Sequence, residues 1–250
     1  MHKNMKLLLA LSGINLLALP SAFAQSWIEY GDRGDLAYSS SRRNAAAGDY
    51  GSAFSGYKTS VSVEAFYAAA TEDAVSSLGL DGADLGGVSA RFSAEKHRTI
   101  ASGAVIVPEF FGIFSLGLGS EDWTYSGRNA YEDGDYDVLV MQFAVGANLR
   151  CYLTESFSLF GGARIGFAYE SVDMEFSGYD SSGNYSGSAD DFDVGFLYGV
   201  GVGGQIDFSD SAALVFGIDY VGMTAEPEVG GIKTDEQAYM MFSVGYKHKF

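Results

Sequence analysis

Three histidines are the first candidates for chemistry, because imidazole is the commonest general base near neutral pH. They are His2, His97 and His248. A hydrolytic site would pair one of them with a serine or an aspartate. His97 and His248 both fall at the end of the predicted strands where the connections are short, away from the long loops. We therefore predict that the chain is not an enzyme, with no catalytic residue and no cofactor.

Acidic runs are the second candidate. The sequence reads E-D-G-D-Y-D at 132 to 137 and A-D-D-F-D at 189 to 193. Alternating carboxylates at Asp133, Asp135 and Asp137 could offer oxygen ligands to a hard cation. The spacing does not fit an EF-hand loop, because residue 138 is valine and no glutamate follows at the required distance. No metal ligands are assigned, and solvated acidic loops are the alternative.

Two short motifs carry little weight. Residues 33 to 35 read R-G-D, a tripeptide known from integrin ligands, which could meet a host cell only if the N-terminus faced outward. Residues 199 to 204 read G-V-G-V-G-G inside an alternating segment, without a following helix or the Lys-Ser/Thr of a phosphate-binding loop. Neither motif is predicted to be a site.

Composition excludes some classes of protein. The formal net charge is −17, from 32 acidic and 15 basic residues, which disfavours nucleic-acid binding. The one cysteine, Cys151, cannot form an internal disulfide. The chain has 33 glycines, 16 tyrosines and 18 phenylalanines but only 3 prolines, a balance that favours many packed strands.

The N-terminus has the pattern of an exported protein. Lys3 and Lys6 precede a short apolar stretch, and Ala22-Phe23-Ala24 then offers a cleavage site, so residues 1–24 are predicted to be a signal peptide. Residues 25–56 are interpreted as an N-terminal extension that forms a cap, a plug or an extra hairpin. Residues 57–250 form the predicted main domain.

Alternation with a period of two residues dominates the remainder of the chain and predicts about eight strands. The segments are 58 to 68, 88 to 96, 104 to 118, 138 to 152, 157 to 170, 193 to 208, 213 to 223 and 237 to 250. Tight polar turns at 154 to 156 and 209 to 211 alternate with long acidic stretches near 121 to 136, 171 to 192 and 224 to 235. A short connection at 97 to 103 and a first long loop at 71 to 86 complete this pattern. It is typical of a closed up-and-down antiparallel barrel.

The two faces of the strands differ in the direction expected for a membrane. One face carries bulky apolar residues, whereas the other carries glycines together with mid-strand charges. These charges are Glu64, Arg91, Glu95, Arg150, Arg164, Glu170 and Asp219. A narrow barrel interior can hold small residues and paired charges, which leaves the bulky face to meet lipid. Aromatic residues near the strand ends would form interfacial girdles. They are Phe157, Tyr169, Phe208, Tyr220, Tyr246 and Phe250. A soluble lipocalin-like barrel would have the opposite orientation.

The last residues, V-G-Y-K-H-K-F at 244 to 250, resemble the C-terminal strand of bacterial outer-membrane β-barrels. Gly245, Tyr246 and Phe250 match that pattern, while Val244 and His248 depart from it. The resemblance is to small OmpA/OmpX/Opa-like barrels and covers about residues 57 to 250. It implies insertion by the barrel-assembly machinery. The expected partners are outer-membrane lipid and lipopolysaccharide. Divalent ions could bridge the acidic loops to the phosphates of lipopolysaccharide.

We therefore predict an all-β, closed transmembrane barrel of about eight strands in the bacterial outer membrane. Its expected role is structural or interactive, through long acidic extracellular loops. A narrow porin-like passive channel is the alternative, and a soluble exported lipocalin-like binder is a further one. The oligomeric state is not predicted.

Overall fold

A computed structural model describes residues 57–75, 80–96, 105–126, 131–180, 182–229 and 231–250. Several features singled out in the sequence lie outside the described residues. They are the predicted signal peptide, the N-terminal segment 25–56, the R-G-D motif and His97. Twelve strands are described: β1 Lys58–Ala70, β2 Asp73–Val75, β3 Leu80–Asp81, β4 Leu85–Glu95, β5 Val105–Ser126, β6 Tyr131–Tyr152, β7 Phe157–Asp180, β8 Gly183–Asp207, β9 Ala212–Met223, β10 Glu228–Val229, β11 Ile232–Lys233 and β12 Gln237–Lys249.

Eight of these strands form a closed antiparallel barrel in the order β1-β12-β9-β8-β7-β6-β5-β4. β1 closes the ring by pairing with β4 on one side and β12 on the other, with Ser60 opposite both Ser93 and Lys249. Because every barrel strand has two neighbours, the sheet has no open edge along the ring. The predicted fold, a closed up-and-down barrel of eight strands, is confirmed. No helix in the described part of the chain is long and apolar enough to cross a membrane.

The connections have the predicted asymmetry. At one end, which we call the short-turn end, β7 follows β6 and β9 follows β8 through tight turns. In these turns the Leu153 N–H donates to the Phe157 carbonyl and the Phe208 N–H to the Ala212 carbonyl, each at 2.9 Å. At the other end, the long-loop end, the connection from β1 to β4 contains the β2–β3 hairpin, and that from β9 to β12 contains the β10–β11 hairpin.

The long acidic stretches at 121 to 136 and 171 to 192 were predicted to be loops, and this is wrong. Both stretches belong largely to strands: β5 and β6 stay paired up to Ser126 and Tyr131, and β7 and β8 up to Asp180 and Gly183. β5 loses its β4 partner after Leu118, and β8 pairs with β9 only from Leu197 onward. We call the four-stranded sheet that projects beyond the ring the extension. It comprises residues 119–126, 131–138, 172–180 and 183–191.

The barrel interior is polar near the short-turn end and apolar near the long-loop end. The apolar layer includes Phe66, Leu85, Val140, Leu197 and Met223, all buried. Alternation along each strand places these side chains on the same face as the buried charges nearer the short turns. The interior is therefore filled by side chains along its length, as expected for a barrel of eight strands.

Candidate functional site

An ion-pair cluster fills the barrel at the short-turn end. Arg150 on β6 is 1% exposed, and its Nη2 lies 3.0 Å from Oε2 of Glu109 on β5. Lys247 on β12 reaches across the bore, with its Nζ 2.6 Å from Glu95 Oε1 and 3.0 Å from Glu109 Oε1. These four residues are the lower ionic cluster. Two cations and two carboxylates balance, which is the condition under which charges tolerate burial.

Neutral partners complete the hydrogen bonding of the lower ionic cluster. Arg150 Nη1 donates to Ser158 Oγ at 3.0 Å and to Gln205 Oε1 at 2.8 Å. Asn148 donates to Glu109 Oε2 at 2.9 Å. Contacts from β4, β5, β6, β7, β8 and β12 thus converge on one set of charges, so the cluster links strands that are far apart in the sequence.

A second set of charges, the middle ionic cluster, lies farther from the short turns. It comprises Glu64, Arg91, Arg164 and Asp219. Arg91 Nε lies 3.7 Å from Glu64 Oε1, and Arg164 and Asp219 line the same small space. The glycines opposite make room for these side chains: a Cβ on Gly201 would come within 2.1 Å of Asp219 Oδ1. The predicted pairing of interior charges is confirmed for Arg91 with Glu64.

The outer surface of the ring is apolar. Phe196, Phe216 and Phe242 point outward and are 46%, 37% and 45% exposed, whereas Arg164 is 3% exposed. A soluble barrel would bury the phenylalanines and expose the arginine, because apolar surface is driven out of water. The observed orientation is that of a barrel surrounded by hydrocarbon, and it opposes the lipocalin-like alternative.

Aromatic rings lie at both rims of this outer surface. Phe208, Tyr246 and Phe250 are exposed at the short-turn end, as predicted for an interfacial girdle. Towards the long-loop end the rings of Tyr169 and Phe192 stack with their centroids 5.5 Å apart. Such rings have an apolar body and, in tyrosine, a polar tip, which suits the boundary between lipid and water.

In the extension, aromatic rings cover glycines on neighbouring strands. A Cβ on Gly134 would lie 2.9 Å from the Trp123 ring, and one on Gly187 would lie 2.7 Å from Phe176. Gly178 has the same relation to Tyr185, at 2.9 Å. All of these residues lie on the face that continues the barrel interior. Rings laid over cross-strand glycines supply the side-chain contact that glycine lacks, which explains why such glycine-rich segments remain strands.

The opposite face of the extension carries carboxylates in cross-strand register. One row runs Asp122, Asp135, Glu175 across β5, β6 and β7, and the next runs Asp137, Asp173, Asp190 across β6, β7 and β8. All six side chains are exposed. Like charges opposite one another destabilise a sheet. The described extension contains no lysine, arginine or histidine to offset them.

The β10–β11 segment covers one edge of β8 beside the extension. The backbone N–H of Glu226 donates to Asp193 Oδ2 at 2.9 Å, and that of Glu228 to Asp191 Oδ2 at 2.7 Å. Lys233 forms an exposed ion pair with Glu226 in the same segment. The hydrogen bond to Glu226 raises the pKa of Lys233. These backbone N–H groups therefore supply hydrogen bonds to two acidic side chains of β8 that have no cation beside them on their own strand.

The residues singled out in the sequence do not converge on a catalytic arrangement. His248 lies on the outward face of β12, opposite Ala212 near the short turns. Asp133, Asp135 and Asp137 share the exposed face of β6, spaced about 7 Å apart along the strand rather than around one point. In the described part of the chain no group of three metal-ligating side chains could hold a metal ion. The G-V-G-V-G-G run lies within β8, as predicted.

Sequence reasoning did not identify Glu109 as an anionic partner of Arg150, or Lys247 as the second cation of the lower ionic cluster. The partners of Lys247 are set by closure of the ring. Glu109 lies in a segment with apolar residues on both faces, such as Phe110 and Phe111, so its alternation is weak. A signal was available, since Glu109 is the only acidic residue between 105 and 120.

No protein-family model matches this chain, and no curated protein matches its sequence. Among solved structures, it resembles Neisserial surface protein A at 17% identity and a TM-score of 0.40, covering 78% of this chain and 98% of that one. The attachment invasion locus protein Ail of Yersinia pestis, crystallised with the heparin analogue sucrose octasulfate, matches at 16% identity and a TM-score of 0.35, covering 78% and 97%.

The outer membrane protease OmpT of Escherichia coli also matches, at 9% identity and a TM-score of 0.30, covering 78% of this chain and 96% of that one. At these values the fold assignment depends on the closed ring of strands itself. Absence of enzymatic activity stays a prediction.

Proposed function

We propose that the chain is a barrel anchored in the bacterial outer membrane that presents the extension outside the cell as an acidic interaction surface. The apolar outer surface of the ring supports the anchoring, because those side chains need a hydrocarbon environment. Strands crossing a bilayer at a tilt need about 9–11 residues. Every barrel strand has at least 11 residues.

Membrane anchoring is tested by fractionation followed by gel migration. Cells expressing the full chain are separated into periplasmic and outer-membrane fractions, and the latter is run in SDS with and without boiling. We expect the chain in the outer-membrane fraction, with a mobility that changes on heating because a closed barrel resists unheated detergent. Recovery in the periplasmic fraction with one mobility would reject this part of the proposal.

The observation that carries the interaction role is the pair of carboxylate rows on the exposed face of the extension. Each row places acidic side chains on three adjacent strands, where cross-strand Cβ atoms lie about 4.5–5.5 Å apart. Such repulsion is relieved when a cationic partner, or a layer of divalent ions, covers the face. A basic polypeptide segment is the partner class that fits. Divalent ions held between these rows and lipopolysaccharide phosphates are the proposed lipid contact.

The interaction role is tested with an oligolysine peptide as the cationic probe and the full chain in lipid nanodiscs. One variant carries D122N, D135N and E175Q, which neutralise a complete row. The control carries E155Q and D210N, which neutralise exposed acids in the short turns at the other end. We expect salt-dependent binding that falls at least threefold in the row variant and stays unchanged in the control. An equal loss per neutralised charge, three in the row variant and two in the control, would mean that only net charge matters.

Assembly through the C-terminal strand is also proposed. β12 ends at Lys249, Tyr246 is exposed on its outward face, and Phe250 follows and is also exposed. Both residues thus present apolar surface to which a membrane-insertion partner could bind. Deletion of Phe250 should lower the amount of heat-modifiable barrel in cells without changing refolding of the purified chain into vesicles. A parallel loss in both assays would assign Phe250 to stability.

A further inference from the structure

A small cavity lies at the long-loop end, where the barrel interior meets the extension. Its volume is about 20 Å³, and it is lined by alanine, valine and methionine side chains together with Glu170, Thr234, Gln237, Tyr136 and Tyr239. The lining includes no lysine or arginine. A space of this size accommodates one occupant of the size of a water molecule.

Two polar atoms in this lining have no hydrogen-bond partner among the described residues: Glu170 Oε2 and Thr234 Oγ1. Glu170 is 3% exposed and Thr234 is 8% exposed. A buried charged carboxylate without a compensating group is costly, so it must either take up a proton or have its lone pairs met by a donor or a cation. The middle ionic cluster cannot supply one, because Arg164 precedes Glu170 by six positions on β7, about 20 Å along the strand.

The cavity is closed over by segments from the long-loop end. Tyr136 donates its hydroxyl hydrogen to the carbonyl of Asp81, and the Asp235 N–H donates to the Ala74 carbonyl at 2.9 Å. Gln237 Nε2 donates to the Asp73 carbonyl at 3.2 Å. These bonds join the β2–β3 hairpin to β6 and to the 234–237 segment, whose Thr234 and Gln237 line the cavity with Glu170.

We propose that this cavity binds one small monovalent cation of the ammonium or potassium type, held by Glu170 and Thr234. The carboxylate supplies the charge and the threonine hydroxyl supplies a second oxygen to the cation. The acidic extension beside it raises the local concentration of cations. The inference goes beyond the proposed function, since it concerns the interior and holds whether or not the carboxylate rows bind a partner.

The test measures urea unfolding of the full chain in detergent micelles at constant ionic strength. Choline chloride, whose cation is too large for the cavity, is replaced stepwise by ammonium chloride or by potassium chloride. A ligand that binds only the folded state raises the unfolding midpoint in a saturable way. We expect such a rise in the wild type, and a half-saturating concentration at least tenfold higher in E170Q. E175Q, which neutralises an exposed carboxylate on the same strand, is the matched control.

T234V tests the second oxygen. It removes the threonine hydroxyl, so the half-saturating concentration of either cation should rise at least threefold, whereas E175Q should respond like the wild type. Water alone in the cavity, or a protonated Glu170, would give a midpoint that does not respond to either cation, which would overturn the proposal. An equal response in E170Q and E175Q would overturn it as well, because only the diffuse acidic field would then be acting.

Discussion

Strands β5 to β8 pass through two regions of the molecule, the barrel wall and the extension, and the same alternation has opposite meanings in them. In the wall, the outward side chains are apolar, such as Val202 at 64% exposure, and the inward ones include Arg150 at 1%. In the extension, the face that continues outward carries the carboxylate rows, while the inward face carries aromatic rings over glycines. The surroundings therefore change from hydrocarbon to water along single strands.

The backbone hydrogen bonds between β5, β6, β7 and β8 continue unchanged from the wall into the extension, because they satisfy the backbone polar groups equally in lipid and in water. What differs is how each face is stabilised: by paired charges in a closed bore, by lipid outside it, and by ring-over-glycine contacts where the sheet is open. Three substitutions and one change of pH test this comparison, and they are given in order of decreasing effect.

Removal of Arg150 is expected to have the largest effect. R150M leaves Glu95 and Glu109 buried with only Lys247 to compensate them, which should lower the free energy of unfolding by about 3–5 kcal/mol. Urea unfolding in phospholipid vesicles, followed by heat-modifiable migration, measures it. The double variant R150M/E109Q should recover part of the loss, because it removes one uncompensated charge. A single variant as stable as the wild type would show that the lower ionic cluster is not required.

A lysine on the lipid-facing wall is expected to cost less. V202K should reduce the free energy of unfolding by about 2–4 kcal/mol, since a cation near the bilayer centre is poorly solvated. S188K is the matched control on the same strand, because Ser188 is equally exposed but lies in the extension beside carboxylates. It should be neutral or slightly stabilising. Similar losses in the two variants would remove the distinction between wall and extension.

Filling a glycine under an aromatic ring is expected to act locally. G134V places atoms 2.9 Å from Trp123 and 2.4 Å from the Glu175 carbonyl, so the ring must move. Overpacking of this kind costs about 1–3 kcal/mol. In a W27F background, the fluorescence of Trp123 should shift to longer wavelength, while the heat-modifiable migration of the barrel stays unchanged. A collapse of the whole barrel would show that the two regions are not independent.

Alkaline pH is expected to give the smallest effect, confined to the β10–β11 segment. Because the hydrogen bond to Glu226 raises the pKa of Lys233 in the folded chain, the ion pair stabilises this segment below the ordinary lysine pKa. The contribution is lost as the pH rises through the folded pKa. In that pH range, hydrogen exchange at the Glu226 and Glu228 amides should accelerate by more than it does in E226Q. Exchange in E226Q reports the intrinsic base catalysis alone. An identical profile in E226Q would exclude the ion pair as the cause.

The sequence predicted which face of each strand looks outward, because that property is local. Asp219 was assigned to the interior face from a period of two residues, and the structure agrees. The partners of Lys247 were not predictable in the same way, since ring closure alone brings β12 close to the strands that carry Glu95 and Glu109. Residues 171 to 180 were interpreted as a loop because aspartate and glycine are depleted in strands. Their pairing depends on rings from neighbouring strands.

The candidate cation cavity was not foreseen for a related reason. Glu170 was assigned to the interior, but nothing local shows that its surroundings are apolar or that Thr234 faces the same space. Thr234 lies in a connection that was read only as an acidic stretch. A site built from a strand and a distant loop segment becomes visible once the register of the ring is known.

The pairing of β12 with β1 has a consequence for how the molecule is made. One edge of β1 can form its backbone hydrogen bonds only after β12 has been synthesised. A partly translated chain therefore has two unpaired strand edges and an exposed apolar surface. Contacts between such distant parts of a polypeptide form slowly. A cell that exports this chain must therefore keep it unfolded until β12 is available to pair with β1.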